Sequence, residues 1–256
     1  AATLILPFTW MILSSLKTLE EIGHDSWLPS VFQWHNYADV FNVKGIMFGR
    51  WYWNSIFVAS WVTFLQIFTS SLAAFSFSRL QWKGRDKVFM LYLATMMLPG
   101  LVMMIPNYQN MIKFGLINTY PGLILPAAFS AFGTFLMRQF MMNIPRSLDE
   151  AATIDGAGKW QLYWHVILPL ARPAIVTLTI FTFMSNYNTM FWPLVMMKSP
   201  DKYTLPIGML AFDSSQGQQT NLLMAAVAMS VIPMIIVFIF MQKQLVKGIM
   251  LGGVKG

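Results

Sequence analysis

Asp, Glu, Lys and Arg are absent from residues 1–16, 51–78, 88–112, 114–137, 173–197 and 214–242. This spacing of charge constrains the fold more than any other property of the chain. A helix crossing the hydrocarbon core of a bilayer needs roughly 20 predominantly apolar residues, and five of the six windows exceed that length. Buried helices of a soluble domain are the competing reading, but they usually carry a polar stripe and seldom recur at such length. A membrane barrel would show segments of about 10 residues with alternating polarity. The overall balance agrees with membrane helices, since 56% of residues are hydrophobic and 11% charged. Pro99, Pro106, Pro126, Pro193 and Pro233 lie in or beside the windows, where helix breakers are tolerated once neighbouring helices satisfy the freed backbone groups.

The expected fold is therefore all-α and polytopic, with six transmembrane helices at about 1–16, 54–78, 88–111, 121–142, 172–195 and 219–242. They form one membrane domain over residues 1–256, with an inner segment at 143–171 and a tail at 243–256. The first window has neither a basic leader nor a small-residue cleavage site, so it reads as a span truncated at its N-terminal side rather than a signal peptide. Orientation follows from the basic residues. Arg79, Lys83, Arg85, Lys87, Arg138, Arg146, Lys159, Arg172, Lys243, Lys247 and Lys255, eleven of the 17, fall in alternate loops and the tail. The positive-inside rule places these and the C-terminus in the cytoplasm.

The same scatter of cations at span ends argues against nucleic acid as the partner of a chain with net charge +7, because no single basic patch results. Membrane lipid is the expected surrounding. Cysteine is absent, which removes disulfides and thiolate metal sites. The 21 Met residues are scattered rather than clustered and read as adaptable packing, so no metal site is expected. Trp27, Trp34, Trp51 and Trp53 suit a membrane–water boundary as anchors, with stacking on a sugar as the sharper alternative.

The inner segment calls for its own explanation. In Ser147-Leu148-Asp149-Glu150 the hydroxyl is placed to cap a helix while Glu150 reaches back to the Ser147 amide. Two acids in the first turn complement the positive end of the helix dipole. Ala151 and Ala152 propagate the helix, and Gly156 is placed to end it. After Gly158, Trp160, Tyr163, Trp164 and Ile167 share one helical face, as an interfacial helix would, before Pro169 and Pro173 turn the chain into the next span. The product is a short helix standing in water on a rigid support, suited to receiving force from a partner.

Glu150-Ala151-Ala152, Asp155-Gly156-Ala157 and Ile167-Leu168-Pro169 closely resemble the EAA loop of ABC-importer permeases. Lys202-Tyr203-Thr204-Leu205-Pro206-Ile207-Gly208 and the Lys247–Gly256 ending are similar to the maltose-type carbohydrate branch, specifically its second permease subunit. The resemblance extends from Pro7 onward and implies a type I permease fold in a bacterial cytoplasmic membrane. It implies that Ser147, Asp149, Glu150, Ala151, Ala152, Asp155, Gly156 and Ala157 form a coupling helix against an ATPase. The implied partners are a homologous second permease making a heterodimer, two ATP-binding cassette subunits that hold ATP and magnesium, and an extracytoplasmic sugar-binding protein. No cofactor is expected on this chain. In that branch the loop corresponding to Gln216, Gly217, Gln218, Gln219, Thr220 and Asn221 reaches the binding protein, although its Gly, Ser and Gln suit any solvated turn as well. The run Tyr187-Asn188-Thr189-Met190-Phe191-Trp192-Pro193 departs from the branch, which often has an acid after the Asn.

No G-x-x-x-x-G-K-[ST] phosphate loop occurs, so energy has to come from another subunit. No span contains an ionisable group able to relay protons, which weakens a proton-coupled carrier. Catalysis is not expected: His165 has no companion acid or nucleophile at a telling spacing. Asn186, Tyr187 and Asn188 are candidates for the substrate path, with interhelical hydrogen bonding as the plainer role. A stand-alone channel or carrier and an intramembrane enzyme are the competing classes.

Overall fold

The computed structural model describes residues 2–24, 26–215 and 219–253. Every regular element among them is helical. The principal helices are α1 (Ala2–Ser15), α2 (Phe48–Arg79), α3 (Arg85–Ala94), α4 (Gly100–Lys113), α5 (Tyr120–Ile124), α6 (Ala131–Met142), α7 (Ser147–Ile154), α8 (Lys159–Leu170), α9 (Arg172–Tyr187), α10 (Phe191–Met196), α11 (Leu205–Ser215) and α12 (Thr220–Gly253). The chain divides into two compact units. One contains residues 1–57, 117–120 and 188–236, and the other 58–116, 121–187 and 237–256.

Among the described residues, α2 and α12 are the continuous helices long and apolar enough to cross a membrane. The expected spans at 88–111, 121–142 and 172–195 are each interrupted. Helices spanning Arg85–Met97 and Gly100–Lys113 meet at 100°, because Leu98 adopts an extended ψ of 122° ahead of Pro99. A residue preceding proline is sterically disfavoured in the helical region. Tyr120–Ala127 and Ala131–Met142 are bent by 44°. There Ser130, extended, accepts from the Gly133 amide and starts α6 afresh. Arg172–Tyr187, which holds most of the predicted fifth span, is bent by 73° against Lys159–Leu170, and the helix ends at Tyr187 before another begins at Phe191. The structure thus holds up to five spans if each bent pair counts as one, plus the shorter apolar Ile5–Ser15.

The freed backbone groups are satisfied as a membrane requires. At the 44° break, the Gln66 amide of α2 donates to the Ala127 carbonyl at 2.7 Å and the Thr69 hydroxyl to Ala128 at 2.8 Å. Thr182 of α9 donates to the same Gln66 side chain at 3.1 Å. Nearby, Gly133 lets α2, α6 and α9 approach closely. A Cβ there would lie 2.6 Å from Ser70 Oγ and 3.2 Å from Leu178. The core of this unit is built from Phe75, Met137, Met141, Leu162, Tyr163, Ile167 and Leu178, among others.

In the other unit the N-terminal end of α2 holds the Pro200–Leu205 loop. Asn54 donates to the carbonyls of Asp201 and Tyr203 at 3.0 and 2.9 Å, and accepts from Tyr120 Oη at 2.8 Å. Ser55 Oγ accepts from the Leu205 amide at 2.7 Å. Trp51, expected at the membrane boundary, is instead 1% exposed and donates to the Pro200 carbonyl. Trp27, Trp34 and Trp53 are exposed as a boundary role requires. The Lys202–Gly208 stretch that carried the carbohydrate-branch resemblance is therefore tied to the α2 end, with Gly208 packed against the Trp51 ring.

Candidate functional site

The inner segment folds as a short free-standing helix on a packed support. α7 has no buried residue along its eight positions. Its end is a Schellman closure: Gly156 takes φ +81°, its amide bonds the Thr153 carbonyl, and the Ala157 amide bonds Ala152 at 2.9 Å. Gly156 is thus the terminator expected of it, because only glycine enters that region without strain.

The expected capping box at Ser147 is not formed. Arg146 holds the N-cap position in helical geometry with no side-chain cap, and the amides of Leu148, Asp149 and Glu150 bond the carbonyls of Pro145 and Arg146. Proline's ring sets φ near about −65°, so the turn begins at Pro145. Ser147 already lies inside it, without the extended backbone from which a capping hydroxyl works. Glu150 is left exposed and its carboxylate makes no back-bond to Ser147.

Asp149, expected only to complement the dipole, has a specific partner. Its two carboxylate oxygens accept from Arg79 Nη1 at 3.3 and 3.1 Å. Arg79 closes α2, and its side chain is 2% exposed. Nη2 donates to the carbonyls of Met141 and Ile144 at the end of α6, while Nε is buried without a partner among the described residues. Sequence reading counted Arg79 among loop cations and missed this. The available signal was its place as the first charge after a 28-residue charge-free window, at a helix end.

The remaining motif positions divide by exposure. Ala152 is half-buried against the core, whereas Ala151, Asp155 and Ile154 face solvent, Ile154 at 86%. The support helix α8 corrects the expected aromatic face. Leu162–Ile167 forms a π turn, which changes the register. Leu162, Tyr163 and Ile167 are buried, while Trp160 and Trp164 remain exposed, edge-on to Tyr163 at 6.2 and 5.1 Å. Tyr163 Oη pairs with Ser71 Oγ of α2 at 2.8 Å. His165 is exposed, and its Nδ1 lies 3.3 Å from the carbonyl of Gln161 one turn earlier.

The candidate substrate-path residues straddle the end of α9 rather than its middle. Asn186 donates back to the Thr182 carbonyl at 2.8 Å, so its amide serves its own helix. Tyr187 is buried and stacked on Phe183 at 5.7 Å. Asn188, in the break, is exposed and donates to Met234 Sδ of α12 at 3.2 Å. Of the candidate binding-protein loop, Gln216, Gly217 and Gln218 lie outside the described residues. Gln219 faces a depression of about 380 Å³ shared with Asp39, Asn42 and Lys44. Thr220 begins α12, and the Asn221 amide reaches Asn36 Oδ1 at 3.4 Å.

This arrangement has close counterparts. The family described as binding-protein-dependent transport system inner membrane component matches residues 66–250. The arabinooligosaccharides transport system permease protein AraQ of Bacillus subtilis is 33% identical over 256 residues, spanning 98% of this chain and 91% of that protein. The lactose transport system permease protein LacG of Rhizobium radiobacter is 32% identical over 251 residues, again 98% and 91% of the two chains. A chain of a bacterial ABC transporter involved in importing the acidic polysaccharide alginate is 26% identical, with a TM-score of 0.85 over 94% of this chain and 90% of that one. The chain accordingly belongs to the binding-protein-dependent transport system inner membrane components, as a non-catalytic permease subunit of an ABC importer.

Proposed function

We propose that α7 is the coupling element through which a cytoplasmic ATPase drives sugar across the membrane. The observation that carries this reading is a charged eight-residue helix with no buried position, closed by Gly156 and ending in the 86% exposed Ile154. An exposed apolar tip on a rigidly terminated helix suits insertion into a partner's cleft. In this reading Ser147, Asp149, Glu150, Ala151, Ala152, Asp155, Gly156 and Ala157 make up the coupling helix and its end, and two ATPase subunits hold ATP and magnesium. A homologous second permease completes the pore as a heterodimer. The Gln216–Asn221 stretch, of which Gln219 lies beside the Asp39–Lys44 turn, meets the sugar-loaded binding protein, and the C-terminus is cytoplasmic.

The cargo class is an oligosaccharide, in keeping with the arabinooligosaccharide, lactose and alginate systems to which the chain is similar. Asn188 is the strongest of the path candidates, because its polar amide lies exposed at a helix break. The test is uptake of a panel of arabino-oligosaccharides, lactose and alginate oligosaccharides by cells carrying the complete transporter. Glu150→Lys is expected to abolish uptake while the chain still inserts. Uptake at the wild-type rate by that variant overturns the coupling assignment.

A further inference from the structure

We infer that Arg79 is a positioning residue that fastens the coupling helix to the inner ends of α2 and α6, so that a push on α7 moves both helices together. The inference rests on the coupling role proposed for α7. One residue serves three elements: it ends α2, its guanidinium donates to both Asp149 oxygens of α7, and it donates to the Met141 and Ile144 carbonyls at the end of α6. With 2% of the side chain exposed, these bonds are sheltered from competing water. The cation also lies at the negative C-terminal ends of two helices, where it is favoured.

Ala152 packs α7 on the core, but the flank beside the Arg79–Asp149 pair is open. Between the α2 end and α7 lies an open depression of about 840 Å³, flanked by Trp82, Glu150, Thr153 and Ile154. The link across that flank is polar and localised: the Arg79–Asp149 pair, assisted by Arg146 donating to the Ser78 carbonyl at 3.5 Å. A bond of this kind transmits displacement, because the rigid guanidinium fork holds its partners in fixed directions. Adjacent acids thereby divide the work. Asp149 faces the permease and anchors, and Glu150 faces outward for the partner. Lysine cannot substitute fully, since a single ammonium lacks the fork that bridges carboxylate and carbonyls at once.

The test uses the assembled transporter in proteoliposomes, with the panel sugar that the wild type carries, together with hydrogen exchange on the same complexes. Arg79→Gln and Asp149→Asn are each expected to lower sugar moved per ATP hydrolysed on the order of tenfold, and the double variant to fall no further than the worse single one. Arg79→Lys recovers part of the ratio. Amide exchange over residues 147–157 quickens in both single variants, whereas that of α6 near Gly133 does not, a pattern that general destabilisation would not produce. If Arg79→Gln fails to assemble, Asp149→Asn carries the test, because it leaves the bonds to the two carbonyls in place. Wild-type ratios, unchanged exchange, or losses that add independently in the double variant overturn the inference. Glu150→Lys separates the two layers: transport stopped by it but not by Asp149→Asn removes only the clamp, and normal transport in both removes the coupling role.

Discussion

Gly156 is the residue on which the inner helix closes, and nothing lies within 4 Å of where its Cβ would be. Substitution there is penalised by backbone strain alone. Gly156→Ala is expected to weaken the helix end by about 1 kcal/mol, seen as faster exchange of the Ala157 amide, and Gly156→Val more, because a β-branched side chain tolerates positive φ least. Gly208 presents the opposite case. Its added Cβ would stand 2.1 Å from the Trp51 ring, so Gly208→Ala is expected to cost about 2 kcal/mol or more through overpacking, read as a lower melting temperature in detergent. Glu21 supplies a pH dependence in the segment between α1 and α2. A hydrogen bond from the Ser30 side chain, then those from the Thr18 and Ser30 amides, hold its carboxyl below the ordinary value of 4.5. A depressed value means that the stabilising contribution is complete above 4.5 and is lost as pH falls through the folded-state value. Protection of the Thr18 and Ser30 amides from exchange should decline in that acid range and not at higher pH.

Helix breaks rather than helix lengths organise the membrane elements. Pro99 acts through the residue before it, and the Ala127–Ser130 break is stabilised from outside its own helix by Gln66 and Thr69. Gln66→Leu should therefore destabilise the fold by about 1 kcal/mol, measured by thermal unfolding, since it strips partners from the Ala127 carbonyl and the Thr182 hydroxyl together. The π turn in α8 matters in the same way. It adds a residue to the turn and sends Tyr163 inward to Ser71 while Trp160 and Trp164 stay out. A face drawn on an ideal 3.6-residue period puts all three together, which is why spacing alone misassigned them.

For the whole molecule, the absence of cysteine makes any introduced thiol the sole one in the chain. With an impermeant maleimide on intact cells, His24→Cys is expected to label and Lys159→Cys to remain protected until the membrane is opened; the reverse pattern overturns the proposed orientation. Membrane residence, helical class and the glycine-terminated inner helix were legible in the residues themselves. Charge-free runs and a terminal glycine are local properties that solvent and backbone sterics enforce wherever the chain goes. How the break at Ala127–Ser130 is satisfied and which aromatic of α8 is buried were decided by neighbours distant in sequence, and the failure of Ser147 to cap by the turn that Pro145 starts. The role of Arg79 was hidden for the same reason. An arginine after a long apolar run reads as an interfacial charge, and only packing brought Asp149, 70 residues away, within 3.1 Å to make it a buried joint.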